Sequence, residues 1–208
     1  AEAIGARVLT VDMGMKKKEP IEGVLDRKIR CGTRNFRRQP AMTEQETLRS
    51  IMVGIQIAKD CKREGCSILA TGEMGIGNTT TSSAVAAALL KCSASQVAGR
   101  GAGLDDQGLA RKKQVIDEAL EKYRLYEADP LTILSTVGGF DIAGLTGICI
   151  GGAVFGLPVV LDGVISLTAA LLAERLLPGV KGYLIPSHKG KEPAAALLLK
   201  ELGLEAVI

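Results

Sequence analysis

The residues best suited to chemistry form a glycine-rich turn between an apolar run and a run of small residues. Gly72, Gly75 and Gly77 lie in the segment TGEMGIGNTTTSSAVAAA, which spans residues 71–88. Glycines there let the backbone bend sharply and come close to a ligand, and the threonines and serines that follow supply caps and hydroxyls. Exposed backbone N–H groups and the helix dipole at such a turn favour an anion, most often phosphate. The turn therefore predicts that the protein handles a phosphorylated small molecule.

The spacing of this turn distinguishes between kinds of phosphate ligand. Gly72, Gly77 and Thr79 fit the nucleoside-triphosphate loop G-x-x-x-x-G-K-[ST], but Asn78 stands where that loop has lysine. Without the lysine the loop has no cation for the outer phosphates, so a monophosphate is favoured. Glu73 would repel phosphate and is better suited to a cationic or protonatable group of the ligand. Spacing alone leaves a second interpretation open, in which the turn only packs a helix against a strand.

Strands and helices alternate around this turn. Apolar runs predict strands at residues 7–12, 66–71, 157–161, 182–186 and 205–208. Capping signals predict helices that begin at Thr43, Asp105 and Asp129-Pro130, and the second of these is expected to reach about Glu127. A long charged loop is expected from Met13 to Pro40 and a second glycine-rich loop from Gly99 to Gly103. Such alternation predicts a parallel sheet of the α/β class, with right-handed crossovers.

Ligands of open α/β sheets bind beyond the carboxyl ends of the strands. The glycine-rich turn follows one predicted strand, Asp162 follows another, and Ser187 and His188 follow a third. Asp162 could bind a ribose hydroxyl or cap the next helix. A hydroxyl and an imidazole at residues 187 and 188 could reach a ligand, although His188 could equally be a structural donor. These loops are expected to meet at one edge of the sheet.

Composition narrows the class of protein. The 208 residues form one large domain, with 47% hydrophobic and 24% charged residues, as in a globular protein. Aromatic residues make up 3%, tryptophan is absent and the net charge is only +3, which argues against a nucleic-acid partner. Five cysteines without a C-x-x-C pattern suit reduced thiols of the cytoplasm, and a single histidine argues against a histidine-rich metal centre.

One apolar stretch could be interpreted as a membrane span. Residues 142–161 carry no charge and are long enough for a transmembrane helix. Five of them are glycine, however, and Pro158 interrupts the run. A helix that ends near Gly156, followed by a buried strand, accounts for the same residues, so no membrane association is expected.

The glycine-rich turn also carries a family resemblance. GEMGIGNTTTSSA closely resembles the signature of nicotinate-nucleotide–dimethylbenzimidazole phosphoribosyltransferases, which build the lower ligand of cobalamin. Further segments resemble the same family in order along the chain: DRKIRCGTRNFRRQPAMT (26–43), GRGAGLDDQGLARK (99–112), VGGFDIAGLTG (137–147), LPVVLDG (157–163), IPSHKGKEP (185–193) and LKELGLEAVI (199–208). An ordered set of matches along nearly the whole chain is far more specific than one glycine motif.

The resemblance implies a fold and a reaction. It implies a three-layer α/β/α core with a mostly parallel, Rossmann-like sheet, and residues 1–208 as a single phosphoribosyltransferase core domain. Because family members are longer, the chain is expected to be a fragment that largely lacks their small second domain. The implied reaction transfers the 5-phosphoribosyl group from nicotinate mononucleotide to 5,6-dimethylbenzimidazole, giving α-ribazole 5′-phosphate and nicotinate. A homodimer without metal or cofactor is expected.

Two alternatives to this reaction stay open. The protein could use another base, such as adenine, a phenolic or another benzimidazole. It could also be a silent homologue that binds the nucleotide without turnover. The resemblance places the family's base glutamate in a glycine-rich segment near the C-terminus of its members, and no residue of this chain matches it.

The resemblance also assigns site residues. Glu73 matches the signature glutamate and is expected to contact substrate or steady charge, its structural alternative being a carboxylate that caps its own loop. Lys112 matches a family lysine placed for the nucleotide phosphate, its alternative being a solvated helix lysine. The expected substrate-binding residues are Gly75, Gly77, Asn78, Thr79, Thr80, Lys112, Gly138, Gly139, Asp162, Ser187 and His188. A break of the helix would explain the glycine pair at 138 and 139 equally well.

Overall fold

A computed structural model describes residues 2–101 and 103–208, and helices dominate it. In chain order, the strands and helices of the described residues are β1 (Val11–Asp12), β2 (Leu25–Asp26), α1 (Glu44–Arg63), β3 (Leu69–Ala70), α2 (Thr79–Leu90), α3 (Ala94–Val97), α4 (Asp106–Lys122), α5 (Pro130–Val137), α6 (Phe140–Phe155), β4 (Val159–Leu161), α7 (Val164–Leu176), β5 (Leu184–Pro186) and α8 (Pro193–Leu202). Short 3₁₀ helices lie at Glu2–Ile4, Leu125–Glu127 and Val180–Tyr183. The predicted loop Gly99–Gly103 includes Ala102, which lies outside the described residues, as does Ala1.

A parallel sheet of β3, β4 and β5 lies at the centre of the fold, in that spatial order. Leu69 pairs with Val159, and Val160 pairs with Ile185. Helices α6 and α7 both contact β4, the middle strand. A separate parallel pair joins β1 to β2. The prediction of an α/β class with parallel strands is confirmed.

The core lies around α2, α6 and α7. From Ser82 to Leu89 every residue of α2 is buried, as is every residue of α7 from Ile165 to Ala173. Helices that are apolar on nearly all sides belong inside a protein. Because α7 contacts both α2 and α6, these three helices form the centre of the core.

The predicted helix starts are confirmed, because each depends on a local hydrogen bond. Thr43 accepts a hydrogen bond from the backbone N–H of Glu46 while the Glu46 carboxylate accepts one from the N–H of Thr43, which is a complete capping box. Asp105 caps α4 through the N–H of Gly108. Asp129 caps α5, and Pro130 occupies its first turn.

Close contact between α1 and α6 explains the glycines of the apolar stretch 142–161. A Cβ built on Gly54 would overlap the carbonyl oxygen of Gly144, and one built on Gly147 would overlap that of Ile51. Glycine at these positions lets the two helix backbones touch. As predicted, the stretch divides into a helix that ends at Phe155 and the strand β4. No helix among the described residues is long and apolar enough to cross a membrane.

Several predicted elements have other bounds in the structure. The strand predicted at 7–12 is reduced to β1, because only Val11 and Asp12 find partners on β2, and β2 itself lies inside the predicted long loop. The helix predicted from Asp105 to about Glu127 ends at Lys122, since Arg124 adopts a left-handed conformation with φ 53°. The segment predicted as a strand at 205–208 is not a regular strand, although Val207 and Ile208 form backbone hydrogen bonds with residues 186–189 at the end of β5.

Candidate functional site

The loops that follow β3, β4 and β5 meet at one edge of the sheet. The N–H of Thr71, at the end of β3, donates to the carbonyl of Val160 at 2.9 Å, and the N–H of Ser187 donates to that of Leu161 at 3.0 Å. These bonds hold the glycine-rich turn, Asp162 and Ser187 beside one another. The predicted convergence of these loops is therefore confirmed, in the position where α/β folds bind ligands.

The glycine-rich turn after β3 is shaped by its glycines and by Glu73. Gly75 and Gly77 both have φ 80°, a left-handed conformation that strains other residues. The carboxylate of Glu73 accepts a hydrogen bond from the N–H of Gly75. In this structure Glu73 therefore makes the loop-capping contact that was its structural alternative, and its contact with substrate stays a prediction.

The turn ends at Asn78, which precedes α2 and is only 7% exposed. Its side chain does not cap α2; instead, Nδ2 donates to Oδ2 of Asp141 at 2.5 Å. Among the described residues, Oδ1 of Asn78 and the hydroxyl of Ser82 are buried without a hydrogen-bond partner. The first N–H groups of α2 are thus not occupied by Asn78, which leaves them free to meet an anion.

Asp141 is a member of this site that the sequence reasoning did not single out. It lies in the first turn of α6, and its carboxylate receives the side chain of Asn78. Burial of the carboxyl raises the pKa of Asp141, while the hydrogen bond from Asn78 lowers it and the charge of Glu73 raises it further. Its place in the segment VGGFD, two residues after Gly139, was the available signal.

Lys112 of α4 reaches the start of α2. Its side chain is buried, with 5% of the residue exposed. The ammonium donates to the hydroxyl of Thr79 at 3.2 Å and to the carbonyl of Gly99 at 3.0 Å. Burial lowers the pKa of Lys112, and the charge of Glu192 opposes that shift. The alternative of a solvated lysine is therefore wrong.

This ammonium retains capacity for an anion. Lys112 has three N–H donors, and two of its hydrogen bonds go to protein oxygens. Within residues 2–101 and 103–208, no ion pair joins Lys112 to a carboxylate within 4.0 Å. A buried cation beside a helix N-terminus, with a donor to spare, is suited to a phosphate.

The glycine pair between α5 and α6 separates the two helices where the surrounding atoms leave no room for a side chain. A Cβ built on Gly138 would overlap the carbonyl of Leu134, and one built on Gly139 would overlap the carboxylate of Asp141. Gly138 ends α5 and Gly139 precedes α6. The helix break is therefore confirmed, and a close approach of ligand to these glycines stays a prediction.

The remaining predicted residues lie at the same edge of the sheet but form fewer contacts with one another than Lys112, Thr79, Asn78 and Asp141 do. Asp162 is exposed, and α7 begins without a side-chain cap, so the capping alternative for Asp162 is not supported. The hydroxyl of Ser187 and Nδ1 of His188 form a hydrogen bond of 2.9 Å. Thr80 is half-buried in the first turn of α2. No group of three or more histidine, cysteine, aspartate or glutamate side chains in the described residues could hold a metal ion.

Taken together, fold and site define an α/β protein in which the glycine-rich turn, the buried Lys112 and the paired Asn78 and Asp141 lie around the N-terminus of α2. A family model described as phosphoribosyltransferase matches residues 1–208. The chain belongs to the nicotinate-nucleotide–dimethylbenzimidazole phosphoribosyltransferase family.

Curated relatives match along the entire chain. A nicotinate-nucleotide–dimethylbenzimidazole phosphoribosyltransferase of Clostridium perfringens is 45% identical over 208 residues, which are 100% of this chain and 58% of that protein. The protein of the same name from Acetivibrio thermocellus is also 45% identical, over 100% of this chain and 59% of its own length. The chain thus spans less than two thirds of these relatives.

A solved structure shares the fold. The crystal structure of CobT from Thermus thermophilus superimposes with a TM-score of 0.91 at 38% identity. The superposition covers 96% of this chain and 60% of that one. The predicted fold class is thereby confirmed.

Proposed function

We propose that the protein transfers the 5-phosphoribosyl group of nicotinate mononucleotide to 5,6-dimethylbenzimidazole, as a step in the assembly of the cobalamin nucleotide loop. The products are α-ribazole 5′-phosphate and nicotinate. The structural observation that carries this proposal is the buried ammonium of Lys112 beside the N-terminus of α2, since it suits the phosphate of a mononucleotide. The names of the full-chain relatives support the identity of the two substrates.

The chemistry is displacement at the anomeric carbon of the ribosyl group. A nitrogen of the benzimidazole forms a bond to this carbon while the bond to the pyridinium nitrogen of nicotinate breaks, so the configuration inverts. A pyridinium is a good leaving group and needs little acid assistance. The benzimidazole N–H must lose its proton to a base, and a carboxylate near the sugar stabilises its cationic character.

Each residue of the site has a role in this proposal. Lys112, Thr79 and the N–H groups at the start of α2 bind the phosphate, with Gly75, Gly77 and Thr80 beside them. Asn78, Asp162 and Ser187 contact the ribose, and His188 orients Ser187 through their hydrogen bond. Glu73 steadies positive charge on the substrate, and Gly138 and Gly139 leave room for the ligand. The half-buried carboxylate of Asp141 supports Asn78.

A homodimer in the cytoplasm, with residues 1–208 as one core domain, completes the proposal. The five cysteines are free thiols in the structure, which suits a reducing compartment. Sedimentation of the complete gene product would measure its mass in solution, and a mass equal to that of one chain would contradict the dimer.

A product assay tests the proposed reaction. The complete gene product is mixed with nicotinate mononucleotide and 5,6-dimethylbenzimidazole, and products are identified by chromatography with mass detection. Nicotinate released in step with α-ribazole 5′-phosphate is the expected result. A parallel panel with adenine and phenolic acceptors defines the base, and nucleotide binding without any product would contradict the proposed transfer.

A further inference from the structure

The second glycine-rich loop, which precedes α4, is held by a hydrogen bond to a carboxylate from a distant part of the chain. The N–H of Gly101 donates to Oε1 of Glu192 at 3.2 Å. A Cβ built on Gly99 would overlap the same carboxylate. Glu192 is half-buried and directly precedes α8, so it links the loop after β5 to the loop before α4.

Thr79 and Lys112 hold the opposite side of this glycine-rich loop. A Cβ built on Gly101 would lie 2.6 Å from Oγ1 of Thr79. The ammonium of Lys112 donates both to that hydroxyl and to the carbonyl of Gly99. The loop backbone therefore lies between Glu192 on one side and the start of α2 on the other, at contact distance from both.

Glu192 also provides negative charge near Lys112. Its carboxylate is the group whose charge opposes the effect of burial on the pKa of Lys112. It is not close enough to form an ion pair within 4.0 Å among the described residues. Glu192 thus favours the charged ammonium without occupying its free N–H donor.

We propose that Glu192 is a positioning residue for the nucleotide phosphate. It holds the loop at Gly99 and Gly101 against Thr79, and so fixes the ammonium of Lys112 where the phosphate binds. A carboxylate in direct contact with a phosphate would repel it, so Glu192 acts through the loop and through Lys112. This inference rests on the proposed phosphoribosyl transfer for its substrate, whereas the contact of Glu192 with the loop does not depend on that reaction.

Substitution of Glu192 tests this role in the complete gene product. Glu192→Ala removes the acceptor of Gly101 and the charge near Lys112, and we expect the KM for nicotinate mononucleotide to rise about tenfold, the effect of losing one charged hydrogen bond. The kcat should change less than about twofold, because no reacting atom is touched. Glu192→Gln keeps an acceptor for Gly101, so its KM for nicotinate mononucleotide should lie between those of the unsubstituted protein and Glu192→Ala. Glu205→Gln, an exposed change beyond the opposite end of α8, is the control.

Gly99→Ala provides an independent route to the same result. Its added methyl group would displace the Glu192 carboxylate, which is the flexible end of a side chain. Gly99→Ala should therefore raise the same KM, and the double variant with Glu192→Ala should be no worse than the more severe single variant. Unchanged KM in Glu192→Ala, or fully additive effects in the double variant, would overturn the proposal.

Amide hydrogen exchange separates this inference from the proposed reaction. In the absence of substrates, Glu192→Ala should speed exchange in the peptide that contains Gly99 and Gly101 several-fold, with α1 unchanged as internal reference. Exchange equal to that of the unsubstituted protein would refute the contact of Glu192 with the loop. If the unsubstituted protein forms no product, the proposed reaction fails, while exchange and nucleotide binding by calorimetry still decide the role of Glu192.

Discussion

The ammonium of Lys112 and the hydroxyl of Thr79 lie 3.2 Å apart, although they belong to different helices. Thr79 is the first residue of α2, and Lys112 lies in the second turn of α4. Their contact places a buried positive charge directly beside the N–H groups that α2 leaves free. Helix dipole and side-chain charge therefore act on the same position.

Replacing Lys112 should weaken binding of the nucleotide much more than it slows turnover. In Lys112→Met the side chain keeps its approximate volume but loses its charge and its N–H donors. Loss of a charge-assisted hydrogen bond costs about 1.5–3 kcal/mol, so we expect the KM for nicotinate mononucleotide to rise about 10- to 100-fold. Steady-state kinetics with saturating base would measure this change.

Lys113→Met is the control for this experiment, because residue 113 is adjacent in sequence and less buried. The control should change the KM less than about twofold, since surface charges contribute little. Thermal unfolding of both variants would check the fold. An unchanged KM in Lys112→Met would remove Lys112 from the phosphate site.

The affinity for the nucleotide should fall at alkaline pH, where Lys112 loses its proton. Burial lowers the pKa of this ammonium below its ordinary value of 10.5, with Glu192 as the opposing charge. As pH rises through that lowered pKa the proton is lost, so affinity for the phosphate should fall at a lower pH than for an exposed lysine. The same deprotonation removes a buried charge, so the stability of the folded state should increase as pH rises from the lowered pKa to 10.5. Calorimetric titration over alkaline pH should show this loss of affinity in the unsubstituted protein, and persistence of the loss in Lys112→Met would assign it to another group.

Local signals in the sequence predicted the starts of helices well. The capping box of Thr43 and Glu46 joins residues only three positions apart, and Arg30 and Arg34 add ion pairs to the same Glu46 carboxylate. Strand lengths could not be predicted in the same way, because a strand extends only as far as its partner does. The segment before Val11 is apolar enough for a strand, but β2 offers partners to two residues only.

The candidate site was predicted in part, for a similar reason. The glycine-rich turn and Lys112 were found through short motifs and a family resemblance. Asp141 and Glu192 were missed because their contacts join residues far apart: Asn78 and Asp141 are separated by 63 positions, and Gly101 and Glu192 by 91. Hydrogen bonds across such separations leave no local pattern of spacing, and only the folded chain brings the partners together.

Glu73→Gln should lower turnover more than it weakens binding of the nucleotide. The amide oxygen of glutamine can still accept the hydrogen bond from Gly75, so the turn should keep its shape. The variant loses only the negative charge that would stabilise a cationic sugar. We expect kcat to fall about tenfold or more, with binding of nicotinate mononucleotide changed less than threefold, since an interaction made mainly in the transition state affects kcat.

Binding by calorimetry and single-turnover rates would measure these two quantities for Glu73→Gln separately. Glu22→Gln, an exposed change in the loop before β2, controls for the loss of one negative charge. Equal losses of binding and turnover in Glu73→Gln would mean that Glu73 only shapes its loop.

Gly147→Ala should destabilise the fold without involving the site directly. Its methyl group would overlap the carbonyl of Ile51 where α1 and α6 touch. Because both backbones are parts of rigid helices, the helices must separate, and overpacking of this kind costs about 1–3 kcal/mol. Gly182→Ala is the matched control, since a methyl group there meets no atom within 4 Å. Denaturant unfolding should show a lower midpoint for Gly147→Ala and an unchanged midpoint for Gly182→Ala. Equal midpoints for the two variants would mean that the α1–α6 contact tolerates a side chain.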